Sequence, residues 1–259
     1  MDQAFWPILG GVLGLVAGSF LATLVIRWPQ GKSLAGRSSC DSCGTTLAVR
    51  DLVPLLSAAV TRGRCRHCGA PIPPRHLHLE LAAAALGALA LFAAPGPAGL
   101  AGALFGWLLL ALMALDLDHF WLPDRLTLPL LALGLLLGNG TPAQRIAGAV
   151  LGGGGFLLLA LGYRRLRGRD GLGLGDAKLM AGLGAWLSPA MIGPLLLLSA
   201  LAGLLFAAVR AQRSKEAAGQ GAEAESEAGG AMIQKVPFGA CLALAAFPLW
   251  IVEQVRAGG

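Results

Sequence analysis

The sequence predicts an all-α polytopic membrane protein of about eight transmembrane helices, with one small loop domain outside the bilayer. Three observations carry this. Of 259 residues, 56% are apolar and only 13% are charged, and the mean hydropathy is +0.68, which is too apolar for a soluble domain of this length. Apolar runs recur along the chain at roughly 5–26, 77–94, 99–115, 125–138, 144–162, 176–188, 191–209 and 236–255. The basic residues cluster in alternate connections between these runs. The net charge of +6 is therefore read as membrane orientation and not as nucleic-acid binding, because in a membrane protein the placement of Lys and Arg matters more than their sum.

The first run has no basic segment ahead of it and no convincing cleavage site, so residues 1–26 are read as a retained first transmembrane helix with the N-terminus outside the cytosol. From that start, every Lys and Arg except Arg145 and Arg256 falls on the cytosolic side, as the positive-inside rule expects. Eight crossings then return the C-terminus to the outside. Gly18 and Ser19 are small enough for another helix to pack closely against the first.

Residues 27–76 form a cytosolic loop that carries Cys40-Asp-Ser-Cys43 and Cys65-Arg-His-Cys68, with 21 residues between the pairs. Two such pairs present four soft sulfurs, each pair gripping one ion from a tight turn, so a structural zinc is expected. Disulfides are disfavoured in the reducing cytosol. The loop is too small for a hydrophobic core, and metal can supply its folding energy. His67 is read as a solvated neighbour, and Cys241, inside an apolar run, as inert.

Residues 77–259 are expected to form a membrane-embedded core. The runs at 125–138 and 176–188 fall short of the roughly 20 residues a helical crossing needs and are read as marginal or partly re-entrant. Residues 211–235, rich in Ala, Gly, Glu, Ser and Gln, read as a flexible cytosolic linker. Val236-Pro-Phe-Gly239 opens the last run with residues that permit a break in the helix. The chain shows no internal repeat and no phosphate- or dinucleotide-binding fingerprint.

Two groups of acids stand at the ends of apolar runs. Asp176 follows the glycines of GLGLGDAKLM at residues 171–180, and DLDHFWLPD occupies residues 116–124. An acid at membrane depth is costly and marks a functional site by default. Gly173 and Gly175 let the backbone bend and another segment approach Asp176. The plainer role for Asp176 is helix capping, and for Lys178 a positive-inside anchor. Asp116 directly follows its apolar run and is preferred over Asp118 and Asp124; the latter follows Pro123 and suits a helix start. By the charge count both sites lie at the cytoplasmic face. Two carboxylates close together share one proton, so one serves as base and the other as acid. Such a pair can activate water against a peptide carbonyl and protonate the leaving amine without another nucleophile. The alternatives are an ion-coupled membrane transporter that uses intramembrane aspartates and a zinc-dependent adaptor whose acids only cap helices.

These residues resemble the type IV prepilin peptidases, membrane aspartic proteases of the GxGD class. The resemblance runs through GSFL at 18–21, both cysteine pairs, VPLLS at 53–57, RGRCRHC at 62–68, DLDHFWLPD, GLGLGDAKLMAGLGAWL at 171–187 and VPFG at 236–239. It implies catalytic Asp116 and Asp176, with zinc on Cys40, Cys43, Cys65 and Cys68. It also implies cleavage of prepilins or type II secretion pseudopilins after a glycine at the cytosolic face of the bacterial inner membrane. N-methylation of the new N-terminus, with S-adenosylmethionine as donor, is implied as well. A basic leader then has to be held against an arginine-rich surface. Among the acids Asp41, Asp51 and Glu80, either Asp51 or Glu80 is expected to orient it or the methyl donor, unless they form local pairs with Arg50 or Arg75.

Overall fold

A computed structural model of the chain describes residues 4–34, 36, 38–40, 42–48, 51, 53–168, 173–219 and 236–258. Among these the helices are α1 (Phe5–Arg27), α2 (Leu56–Thr61), α3 (Arg75–Ala93), α4 (Pro97–His119), α5 (Asp124–Leu137), α6 (Pro142–Ala149), α7 (Gly155–Arg167), α8 (Leu174–Trp186), α9 (Ile192–Gly219) and α10 (Phe238–Gly258). A π-helical turn, Val150–Gly154, joins α6 to α7, and the pair form one apolar rod from Pro142 to Arg167. Among the described residues, six helical segments are long and apolar enough to cross a membrane. Helices α5 and α8, with 14 and 13 residues, are the two short ones the sequence marked.

Helix ends follow local chemistry. Thr141 and Gln144 cap α6 reciprocally with Pro142 in the first turn. Helix α4 runs past its apolar stretch through His119, so Asp116 and Asp118 sit on its last turn instead of after it. The expected linker begins later than its composition implied: residues 211–219 continue α9, because Ala, Gln, Arg, Lys and Glu are good helix formers. Residues 220–235 lie outside the described residues.

Small residues set the helix contacts, as they must where lipid removes the hydrophobic drive between helices. Gly10, Gly14 and Gly18 form one buried face of α1. A Cβ on Gly14 would stand 2.6 Å from Ala84 Cα of α3, and one on Gly18 2.6 Å from Glu80 Cα. The opposite face presents Ile8, Val12, Val16 and Phe20 outward. Centrally, Phe105 of α4 stacks on Trp186 of α8 at 4.8 Å, while the Trp186 indole donates to the Leu130 carbonyl of α5 at 2.8 Å. A buried indole N–H needs such an acceptor.

At one end of the bundle Glu253 of α10 accepts the Ser188 N–H at 3.0 Å and the Asn139 side-chain amide at 2.8 Å. This pins the α5–α6 and α8–α9 turns together. Asp116 and Asp176 meet at a different place, where α4 ends and α8 and α10 begin.

Candidate active site and tetracysteine centre

Asp116 is 5% exposed, and its Oδ2 accepts the backbone N–H of Ala240 in the first turn of α10 at 2.7 Å. A carboxylate on the last turn of α4 faces that helix's negative pole; the N-terminal end of α10 supplies the opposing positive end. Asp176 lies in the first turn of α8, also at a helix N-terminus. It is not the cap: Gly173 holds that position, without a side-chain cap bond. The Asp176 carboxylate, half-buried, turns back so that a Cβ on Gly173 would lie 3.3 Å from Oδ2. Asp116 and Asp176 are near enough to act on each other electrostatically.

Leu122 packs where these helix ends converge. Phe120 ends α4 in the left-handed region, with φ 49°, and its N–H bonds the Asp116 carbonyl at 3.0 Å. The chain reverses there, and Leu122 reaches both glycine-bearing starts. A Cβ on Gly175 would stand 3.2 Å from Leu122 Cβ. One on Gly239 would stand 2.8 Å from Leu122 Cδ1 and 3.0 Å from Asp116 Oδ2. Glycine at 239 is thus needed for close approach. The sequence alone does not single out Leu122 or the Ala240 N–H; the signals nearest them are the turn residue Pro123 and Gly239, two positions after Pro237.

Asp118, Asp124 and Asp51 have cationic partners, and Glu80 a backbone one. Asp118 forms an ion pair with Arg75 of α3, which also donates to the Ala114 carbonyl at 3.2 Å. Asp124 receives Lys178 on both oxygens, at 2.7 and 2.8 Å, so Lys178 ties α8 to the start of α5. Asp51 pairs with Arg66 at 2.7 Å, and Glu80, 8% exposed, accepts the Leu55 N–H at 3.0 Å. Both carboxylates thus make local contacts that tie the loop, in keeping with the plainer alternative to a role in orienting a leader. Arg50 and Asp41 lie outside the described residues.

The four cysteines of the loop converge, with their Sγ atoms all within 4.8 Å of one another. A tetrahedral zinc with sulfur at about 2.3 Å sets its ligands about 3.8 Å apart, and Cys40 and Cys68 stand at 3.9 Å. The two pairs repeat one turn. Gly44 bonds the Cys40 carbonyl at 2.8 Å and Gly69 the Cys65 carbonyl at 2.9 Å, with φ near 70° at both glycines. This Cys-x-x-Cys-Gly repeat is readable in the sequence but was passed over. Hydrogen bonds to the Thr45 side chain and then its backbone hold the Cys43 thiol below its usual range, at about 6, whereas the Cys68 thiol, despite a backbone bond with Ala70, is pushed up by burial to about 11. The cluster fits a bound metal ion.

An all-helical membrane protein that sets two aspartates against helix N-termini beside a tetracysteine loop defines a membrane diacid class with an appended metal-binding module. Residues 12–94 match the bacterial peptidase A24 N-terminal domain and residues 103–208 the type IV leader peptidase family. The chain is 40% identical over 238 residues to a prepilin leader peptidase/N-methyltransferase of Burkholderia pseudomallei, covering 79% of this chain and 76% of that one. It is 42% identical over 180 residues to one of Aeromonas hydrophila, covering 68% and 62%. With one of Klebsiella pneumoniae it shares 42% over 200 residues, covering 71% and 88%. No solved structure matches the chain. The chain belongs to the type IV leader peptidase family, a family of aspartic peptidases. A transporter is not supported by these relatives.

Proposed function

We propose that this chain cleaves the leader peptide of type IV prepilins or type II secretion pseudopilins and N-methylates the new N-terminus, with Asp116 and Asp176 as the catalytic pair. One observation carries the peptidase assignment: Asp116 is buried at a helix end with no ion pair among the described residues, held by the Ala240 N–H and within electrostatic reach of Asp176. Of two carboxylates sharing a site, one is ionised and the other keeps a proton. The ionised member takes a proton from water as it attacks the scissile carbonyl. The protonated member bonds the developing oxyanion and then protonates the leaving amine. The Ala240 N–H holds Asp116 Oδ2 against the start of α10.

Zinc suits four thiolates of this spacing, and its role here is structural. S-adenosylmethionine, the expected methyl donor, would supply an electrophilic methyl group. A pocket of about 400 Å³ beside Asp118 is lined by Arg75, His78, Leu79, Met113 and Leu117 among others. Its Arg75 and Asp118 are paired with each other and most of its wall is apolar, which does not fit a polar sulfonium amino acid. Methyl transfer therefore rests on the likeness to relatives named as N-methyltransferases. The placement of basic residues supports a bacterial inner-membrane protein with the acids at the cytosolic face and both termini outside.

Cleavage of a prepilin by full-length enzyme in lipid nanodiscs tests the catalytic pair. Asp116→Asn and Asp176→Asn each preserve shape and remove the acid, so turnover should fall by at least about 100-fold. Near-normal turnover in either folded variant would overturn the assignment.

A further inference from the structure

We infer that Leu122 is a positioning residue: a wedge between the starts of α8 and α10 that sets how Asp176 and Asp116 face each other. This rests on the proposed catalytic role of the two acids. Two glycines at helix starts leave gaps, and one side chain from the α4–α5 turn fills both. The fit is close on each side, with Leu122 Cβ 3.2 Å from the position of a Cβ on Gly175 and Leu122 Cδ1 and Cδ2 2.8 and 3.1 Å from that on Gly239. Asp176 follows Gly175 directly. Asp116 lies against Gly239 and bonds Ala240. The wedge therefore touches the backbone next to one acid and the backbone that binds the other.

Its placement is fixed from behind. Phe120 reverses the chain while bonding Asp116's own carbonyl, and Pro123 has φ −70° and ψ 139° ahead of α5. The Asp124–Lys178 pair ties the same turn to α8 at 2.7 Å. Leu122 also lines a groove of about 970 Å³ with Trp28, Trp121, Asp124 and Arg125, so it separates that groove from the acids. Packed interiors transmit such volume changes because they hold few voids, and a misplacement near 1 Å at a catalytic group can cost about 100-fold in rate.

The test is steady-state prepilin cleavage by the full chain in nanodiscs, corrected for folded protein. Leu122→Ala should lower kcat at least about tenfold while KM stays within about twofold, since substrate contacts are kept and acid geometry is not. Gly239→Ala should lower kcat as well, by driving its Cβ into Leu122. The double variant relieves the Leu122 part of that clash and leaves the 3.0 Å approach to Asp116 Oδ2, so its kcat should exceed that of Gly239→Ala alone without returning to that of the unaltered chain; coupling of this sign is what neighbours in contact show. Should Leu122→Ala fail to fold, Leu122→Val carries the same expectation of reduced kcat. Unchanged kcat in a folded Leu122 variant, or single losses that simply multiply in the double variant, would overturn the inference. Asp116→Asn and Asp176→Asn run alongside: if they keep activity, the catalytic reading fails; if they lose it while Leu122 variants do not, only the wedge fails.

Discussion

A carboxylate in an apolar bundle persists only where something answers its charge, and the four aspartates here are answered differently. Asp118 and Asp124 have cations, Arg75 and Lys178; Asp116 has a backbone N–H; Asp176 has the start of α8. The Asp124–Lys178 pair is exposed on both sides, and pairs of that kind contribute at most about 1 kcal/mol. Asp124→Asn should therefore keep cleavage and lower the thermal midpoint only slightly, whereas Asp116→Asn, in the proposed catalytic pair, should stop turnover. Loss of cleavage in Asp124→Asn with Asp116→Asn still active would reverse the ranking of the acids. Position alone singled out Asp116 and Asp176 in the sequence. The pairs that remove the rival acids were not legible, because Lys178 lies 54 residues from Asp124 and no local pattern links them. Leu122 was illegible for the same reason: its contacts are with two distant glycines.

Among the elements, the α1–α3 seam is the clearest case of packing written in small residues. Gly10, Gly14 and Gly18 recur at every fourth position on the side of α1 that meets α3, and the sequence pointed to Gly18. A Cβ at Gly14 would stand 2.6 Å from Ala84 Cα and 2.7 Å from the Ala83 carbonyl carbon, so the neighbour that must yield is backbone. Gly14→Val should cost about 1–3 kcal/mol by overpacking, seen as a lower thermal midpoint and reduced yield of folded protein. A midpoint equal to that of the unaltered chain would show that the seam is looser than these distances state. Long apolar runs made the spans legible to within a few residues. The π-helical turn at Val150–Gly154 was not, because a glycine run inside an apolar stretch has no distinctive period. Nor was the extension of α9, where helix-forming polar residues carry the helix beyond its apolar part.

On the scale of the whole molecule, the membrane core and the cysteine loop are stabilised by different physics. The core buries Trp186, Trp250, Phe105 and a dense set of leucines, and its helices satisfy their own backbones. Across residues 31–74, Cys65 is the buried apolar residue among the described side chains. The loop is instead tied by the two cysteine turns, by Asp51–Arg66 and by Glu80 to Leu55. With so little core, we propose that its folding energy comes largely from a metal on the four cysteines, which in zinc-finger peptides supplies about 10–16 kcal/mol. The purified protein should therefore carry about one zinc per chain. Cys43→Ser, or chelation, should open the loop to limited proteolysis within residues 31–74. The helical circular-dichroism signal and the thermal unfolding of the spans should change little, because the spans pack on one another through their own residues and the loop meets them at a few points such as Leu34 and the Glu80–Leu55 bond. Protein that lacks zinc yet keeps a protease-resistant loop would contradict a metal-built module, and collapse of the spans on zinc removal would contradict its independence from the core.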